Sequence, residues 1–138
     1  MLMIVLFAHQ PGFAQERQSN QTVLAGKIEK YHRTELYFGR SKPDGKTITD
    51  DEWSEFLAEV VTPRFPDGFT VFDGVGQYRE KSGQIVKEQT KIVFFLYSRK
   101  ERKISSTEID EIRAAYVKRF NQESVLRIDL QRSVRVAF

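Results

Sequence analysis

The residues of this sequence that come closest to a chemical site lie on one short alternating segment. In Arg33 to Gly39 (RTELYFG), Arg33, Glu35 and Tyr37 fall on one side and Thr34, Leu36 and Phe38 on the other, because successive side chains of a strand point to opposite faces. A carboxylate, a phenol and a guanidinium so placed can share a half-buried pocket suited to proton transfer. Glu35 would be the acid or base, Tyr37 a hydrogen-bond donor, and Arg33 the anchor for an anionic group. The plainer reading makes Arg33 and Glu35 cross-strand salt-bridge partners on a sheet surface, the commoner fate of alternating charges. Gln77 and Tyr78, on a later strand, are candidates to line the same cleft. A second candidate is the loop Thr62-Pro63-Arg64-Phe65-Pro66-Asp67-Gly68, whose prolines and glycine set its shape. In it, Arg64 and Asp67 can pair or offer a guanidinium to an anion, while a plain connector would use the same prolines to stop a helix and aim the next strand.

Much other chemistry is excluded by the residues that are missing. The chain has 138 residues and no cysteine, so disulfides and thiolate-bound zinc or iron–sulfur centres cannot be built. Past the N-terminal region the only histidine is His32, which leaves a histidine metal cage and a Ser-His-Asp triad without parts. Gly74-Val75-Gly76 has neither the spacing nor the following helix of a phosphate loop. We therefore expect no metal and no cofactor. Lys and Arg number 22 against 19 Asp and Glu, a small excess that says little about partners. The densest basic run, Ser98 to Lys103 (SRKERK), could touch nucleic acid or an anionic surface. It has no interleaved aromatics for stacking on bases, so it reads as a solvated connector and nucleic acid is not an expected partner.

The elements that position these residues follow from periodicity and caps. Thr49-Asp50-Asp51-Glu52 is a capping box, and Trp53, Phe56, Leu57, Val60 and Val61 form one helical stripe that Pro63 ends. Phe69 to Tyr78 and Gln84 to Ser98 flank the turn Lys81-Ser82-Gly83 and predict an antiparallel hairpin, with a bulge or close backbone approach at Gly74 and Gly76. Ser105-Ser106-Thr107 with Glu108 predicts the cap of a second helix carrying Ile109, Ile112, Tyr116, Val117 and Phe120, with Asn121 as its end. Ser124 to Leu130 alternates as a fourth strand, and Arg132 to Phe138 extends it or makes a fifth.

The order β-α-β-β-α-β is that of a ferredoxin-like α+β sandwich: a four-stranded antiparallel sheet, first and third strands central, with two helices on one face. Within KIVFFLYS, Ile92, Phe94 and Leu96 point one way and Val93, Phe95 and Tyr97 the other, so this strand is apolar on both sides. Burying a Phe or Leu side chain is worth roughly 1.5 to 3 kcal/mol, and the face opposite the helices should therefore be covered. A second copy packed sheet to sheet, as in a dimeric α+β barrel, is the expected cover; the terminal segments folded across the sheet are the alternative.

Leu2 to Ala8 (LMIVLFA) reads as the apolar region of a leader, and Gly12-Phe13-Ala14 supplies small residues for a cut before Gln15. The expected organisation is a signal peptide over 1–14, a polar tether and lead-in over 15–31, and the domain over 32–138. The protein would then be exported, periplasmic or extracellular, with no integral membrane segment in the mature chain.

The segments RTELYFG, EWSEF, VTPRFPDGFTVFDGVGQY and FNQESVLRID, spread over about residues 33 to 130, resemble the signature of an uncharacterised family of small bacterial proteins. The family is a domain of unknown function, often preceded by a signal peptide. Tyr78 departs from it, standing where relatives tend to carry Trp. The resemblance implies a small exported domain and assigns no catalytic residues. Two functions are consistent with these residues: a binding or interaction module, homodimeric through its sheet, that recognises a small molecule or an envelope partner; or a small cofactor-independent enzyme in which Glu35 is the general base.

Overall fold

The computed structural model describes residues 28–79 and 81–136; the expected leader and most of the expected tether lie outside the described residues. The elements are β1 (Glu29–Gly39), α1 (Asp50–Phe56) running on into a π-helical turn (Leu57–Val61), β2 (Thr70–Arg79), β3 (Ile85–Ser98), α2 (Arg102–Phe120), β4 (Leu126–Asp129) and β5 (Val134–Val136). The sheet is antiparallel with order β2-β3-β1-β4, and β5 pairs with the start of β1. The fold is thus the expected α+β sandwich with β1 and β3 at its centre. β1 begins at Glu29, three residues before the expected domain boundary, because Glu29 to Tyr31 pair with β5.

Both helices pack on the face that carries Thr34, Leu36 and Phe38. The Phe38 ring meets Tyr116 of α2 at 4.7 Å and Trp53 and Phe56 of α1 at 5.2 and 6.1 Å, mostly edge to face. Val93 and Phe95 of β3 complete this core with Ile109, Ile112 and Val61, all without solvent exposure. The capping box holds α1: Thr49 Oγ1 accepts from the Glu52 amide at 3.2 Å, and Glu52 accepts from the Thr49 amide at 2.9 Å. Beyond Phe56 the helix widens, with the Thr62 amide donating to Leu57 O, and this carries Val61 into the core before the Pro63 turn.

One local expectation is corrected, one is decided between its two alternatives, and one detail is new. α2 starts at Arg102 and not after Ser105: Glu101 accepts from the Ser98 amide and hydroxyl, closing the preceding turn early enough for the helix to begin one turn sooner. There is no bulge in β2, whose register against β3 runs one to one from Thr70↔Phe94 to Arg79↔Ile85. Gly74 instead serves close approach, since a Cβ there would lie 3.1 Å from Ile92 Cδ1. The first residue of the apolar run, Lys91, is buried on the helix side, held by Asp73 at 2.5 Å and Asp50 at 3.1 Å. Burial pulls its ammonium down, but the bonds to Asp73 and Asp50 outweigh that and leave its pKa raised. α2 ends as expected at Asn121, in the left-handed region with φ 51°.

Across the sheet, Asp129 ties β4 to β1 and to α2. Its Oδ1 accepts from Thr34 Oγ1 at 2.6 Å, and Arg127 bridges it to Asp110. Because Thr34 spends its only hydroxyl proton on Asp129, Tyr97 OH, 2.7 Å away, is the donor to Thr34. Burial alone would raise the carboxyl of Asp129, but the Thr34 and Arg127 hydrogen bonds outweigh it and hold its pKa below the ordinary value. Asp110 is likewise lowered against burial by Arg113 and Arg127. Depressed folded-state values mean that this stabilisation is complete above the unfolded pKa of about 4 and is lost as the pH falls through the lower folded value. The urea midpoint should therefore drop steeply from about pH 4 downward, and less steeply in Asp129→Asn. Equal slopes for the two proteins would contradict this assignment.

Candidate functional site

The face of the sheet away from the helices has no cover among the described residues. Its rows follow from register. Thr70 and Phe72 of β2 stand beside Phe94 and Ile92 of β3, which stand beside Glu35 and Tyr37 of β1, and these beside Ile128 and Leu126 of β4. Phe72 and Ile128 are exposed, and Leu96 and Leu126 are 44% and 56% exposed. The two-sided apolar character of β3 is real, and β4 adds its own apolar side to the same face.

A polar row runs through this apolar surface on β1. Tyr37 OH donates to Glu35 Oε2 at 2.8 Å, and Arg33 Nη2 lies 2.8 Å from Glu35 Oε1, so both carboxylate oxygens are engaged. The Arg33 guanidinium sits over the Phe94 ring at 4.0 Å. The hydrogen bond to Glu35 first, and burial second, raise the Tyr37 pKa, which keeps the phenol a donor at neutral pH. Arg33 Nε is buried with no hydrogen-bond partner, a donor whose desolvation nothing described offsets. Arg33 and Glu35 do pair, but within one strand and not across two as the plainer reading supposed, with Tyr37 and Phe94 as further partners.

Beside Arg33 the surface sinks into a cleft of about 580 Å³. Tyr31, Phe94 and Leu96 form its floor, and the loop before β2 brings Asp67, Gly68 and Phe69 over one wall. Gly68 makes that turn possible at φ 124°, a conformation side chains rarely adopt. Glu101 closes the far end. The Asp67 carboxylate has no hydrogen-bond or ion-pair partner among the described residues. The cleft thus offers aromatic side chains, one free carboxylate and an arginine, which suits a small amphipathic ligand with both apolar and polar groups.

Of the sequence candidates, Arg33, Glu35 and Tyr37 are brought together, and Asp67 joins Arg33 in the cleft. Arg64 is not there. Its guanidinium bonds Glu111 of α2 at 3.2 Å and Val60 O at 2.9 Å, so it braces the loop against the helix. Gln77 and Tyr78 are also elsewhere, since β1 ends opposite Thr90 and the β2–β3 hairpin projects five pairs beyond it. Gln77 in addition takes the helix-side alternation. His32 stacks on Tyr97 on the other face, 5.8 Å between centroids. Tyr31, Phe94 and Glu101 were not expected in the site. The alternation of β1, carried back two residues from Arg33, would have added Tyr31.

No curated protein matches the sequence. Among solved structures, the chain is similar to a phage SAM lyase in complex with S-methyl-5′-thioadenosine, with TM-score 0.55, 19% identity, and 91% of this chain and 97% of that one covered. It is also similar to a phage SAM lyase in the apo state, with TM-score 0.54, 15% identity, and 79% and 90% covered. At such identities the likeness is one of fold. A family model described as a protein of unknown function (DUF3574) matches residues 33–138, which includes the polar row, the loop and the whole cleft except Tyr31, and the chain belongs to that family.

Proposed function

We propose that the protein is an exported binding module that pairs through the open face of its sheet and holds a small molecule in the cleft beside Arg33. One observation carries the reading: the Arg33-Glu35-Tyr37 row and the cleft are set in a surface of exposed Phe72, Leu96, Leu126 and Ile128. Exposed apolar patches of this kind on a small domain mark interaction surfaces. A second copy laid across them would enclose the cleft. Export rests on the leader-like run Leu2 to Ala8; among the described residues no helix is long and apolar enough to cross a membrane.

A ligand in the cleft raises the melting temperature of the protein that binds it. With S-adenosylmethionine and S-methyl-5′-thioadenosine as the first compounds of a panel, at least one compound is expected to raise the wild-type melting temperature and to leave Arg33→Ala unmoved. Equal shifts in the two proteins would place the ligand elsewhere and count against the cleft.

The likeness to lyases favours a second reading, a small cofactor-independent enzyme with Glu35 as general base, Tyr37 as donor and Arg33 as anchor. Arg64 has no part in it, being bound to Glu111. Under this reading, Glu35 takes a proton from the carbon next to the sulfur-bearing one in the amino-acid chain of S-adenosylmethionine. A C=C bond forms as the C–S bond breaks with its electron pair on sulfur, and S-methyl-5′-thioadenosine and an unsaturated amino acid are released; Glu35→Gln releases neither. No product from the wild type leaves the binding module as the function.

A further inference from the structure

Cations are treated differently in two parts of the molecule. Elsewhere on the sheet and helices most are paired, Arg40 and Lys91 with Asp50, Arg64 with Glu111, Arg119 with Glu59, Arg127 with Asp129, with Lys87 and Lys118 as scattered exceptions. At the end of the sheet where β3 leaves and β1 begins, they are not. Arg99, Lys100, Arg102 and Lys103 are all exposed, and their side chains have no ion-pair partner among the described residues. Lys30 stands directly opposite Arg135 across the β1–β5 pair, and both are exposed and unpaired.

Two of these placements oppose the fold's own electrostatics. Like charges directly opposite each other on neighbouring strands repel. The first turn of α2 holds no acidic residue but starts with Arg102 and Lys103, at the helix terminus where the backbone dipole is already positive. A small rearrangement of sign would be more stable, so the cations suit something outside the chain. At the same end two large apolar side chains stand in water: Ile104, 61% exposed in the first turn of α2, and Ile28, 55% exposed just before β1. Cations around exposed isoleucines complement a surface that is anionic and has an apolar layer beneath its charges. Single-stranded nucleic acid would want aromatic rings for stacking, and the nearest, Tyr31, lines the cleft and not the face of the cations.

We propose that this end of the protein docks on an anionic lipid bilayer, the cations against the headgroups and Ile104 inserted between them. The proposal is independent of what the cleft holds. The test is co-sedimentation of the full chain with phosphatidylcholine vesicles, with and without phosphatidylglycerol, at low salt and at about 0.15 M. The phosphatidylcholine sample measures whatever other segments contribute. Anionic lipid is expected to strengthen binding, and each cation near the surface is worth about fivefold. The triple variant Arg99→Glu, Lys100→Glu, Lys103→Glu should then lose on the order of a hundredfold or more. Its helix should be no less stable, since negative charge suits that terminus; if it fails to fold, the three Gln variants take its place. Ile104→Ser should lower binding further at the higher salt. Lys87→Glu with Lys118→Glu, exposed cations away from this end, should change it less than about twofold, since surface attraction fades within a Debye length. No gain from phosphatidylglycerol would overturn the proposal, as would an equal loss in the control pair. So would release of the protein by an RNA oligonucleotide with Ile104→Ser behaving as wild type, which would assign the cations to a polyanion.

Discussion

Leu96→Glu is expected to convert the proposed dimer to monomers while leaving the fold intact. Leu96 sits on the open face, opposite Arg33 in the β1–β3 register and two residues from Phe94. In a paired state its side chain would be out of water, and desolvating a carboxylate there costs several kcal/mol that the neighbouring Arg33 offsets only in part. In a two-fold interface each substitution is met twice. Association should weaken by a hundredfold or more, given about 1.4 kcal/mol per tenfold. In the single chain Leu96 is already exposed, so the melting temperature of the monomer should barely move. Sedimentation velocity over a concentration series reads the first effect and thermal unfolding the second. Leu126→Glu, on the far side of the same face, should behave alike; if both variants assemble as the wild type does, the proposed pairing is wrong.

Phe38→Ala has the largest expected effect on stability. The ring is completely buried and lies against Trp53, Phe56 and Tyr116, the residues through which both helices meet the sheet. Its removal forfeits the transfer energy of a phenyl group and leaves a cavity that three rigid neighbours cannot fill, a cost of about 3 to 5 kcal/mol. Domains of this size are stable by roughly 5 to 15 kcal/mol, so the melting temperature should fall on the order of 15 °C. Urea denaturation with an unchanged m value and a lowered midpoint is the expected result. A loss below about 1 kcal/mol would mean that the aromatic cluster is not the centre of the core.

These two residues also show what could be read before the fold was known. Phe38 and Glu35 were separable because strand alternation is local, and the hairpin, the α1 cap and the two-sided β3 followed from equally short segments. What was hidden depended on partners far apart in sequence. Lys91 looks misplaced in an apolar run until Asp50 and Asp73 come to it from α1 and β2. Arg64 looks free to bind an anion until Glu111, 47 residues on, takes it. Tyr78 and Glu35 seemed able to meet, but only the β1–β3 register reveals that the hairpin carries Tyr78 past the end of β1. The start of β1 is hidden for the same reason, since Glu29 and Lys30 are strand only through β5, about a hundred residues away.

The central claim is that the open face works in a paired, ligand-holding state, and native mass spectrometry of the purified protein, repeated under denaturing conditions, tests it most directly. We expect a dimer at micromolar concentration whose native mass exceeds twice that of the denatured chain by the mass of a small molecule. A bare monomer would contradict the claim, because the face that carries Arg33, Glu35 and Tyr37 would then stand alone in solution with nothing held on it.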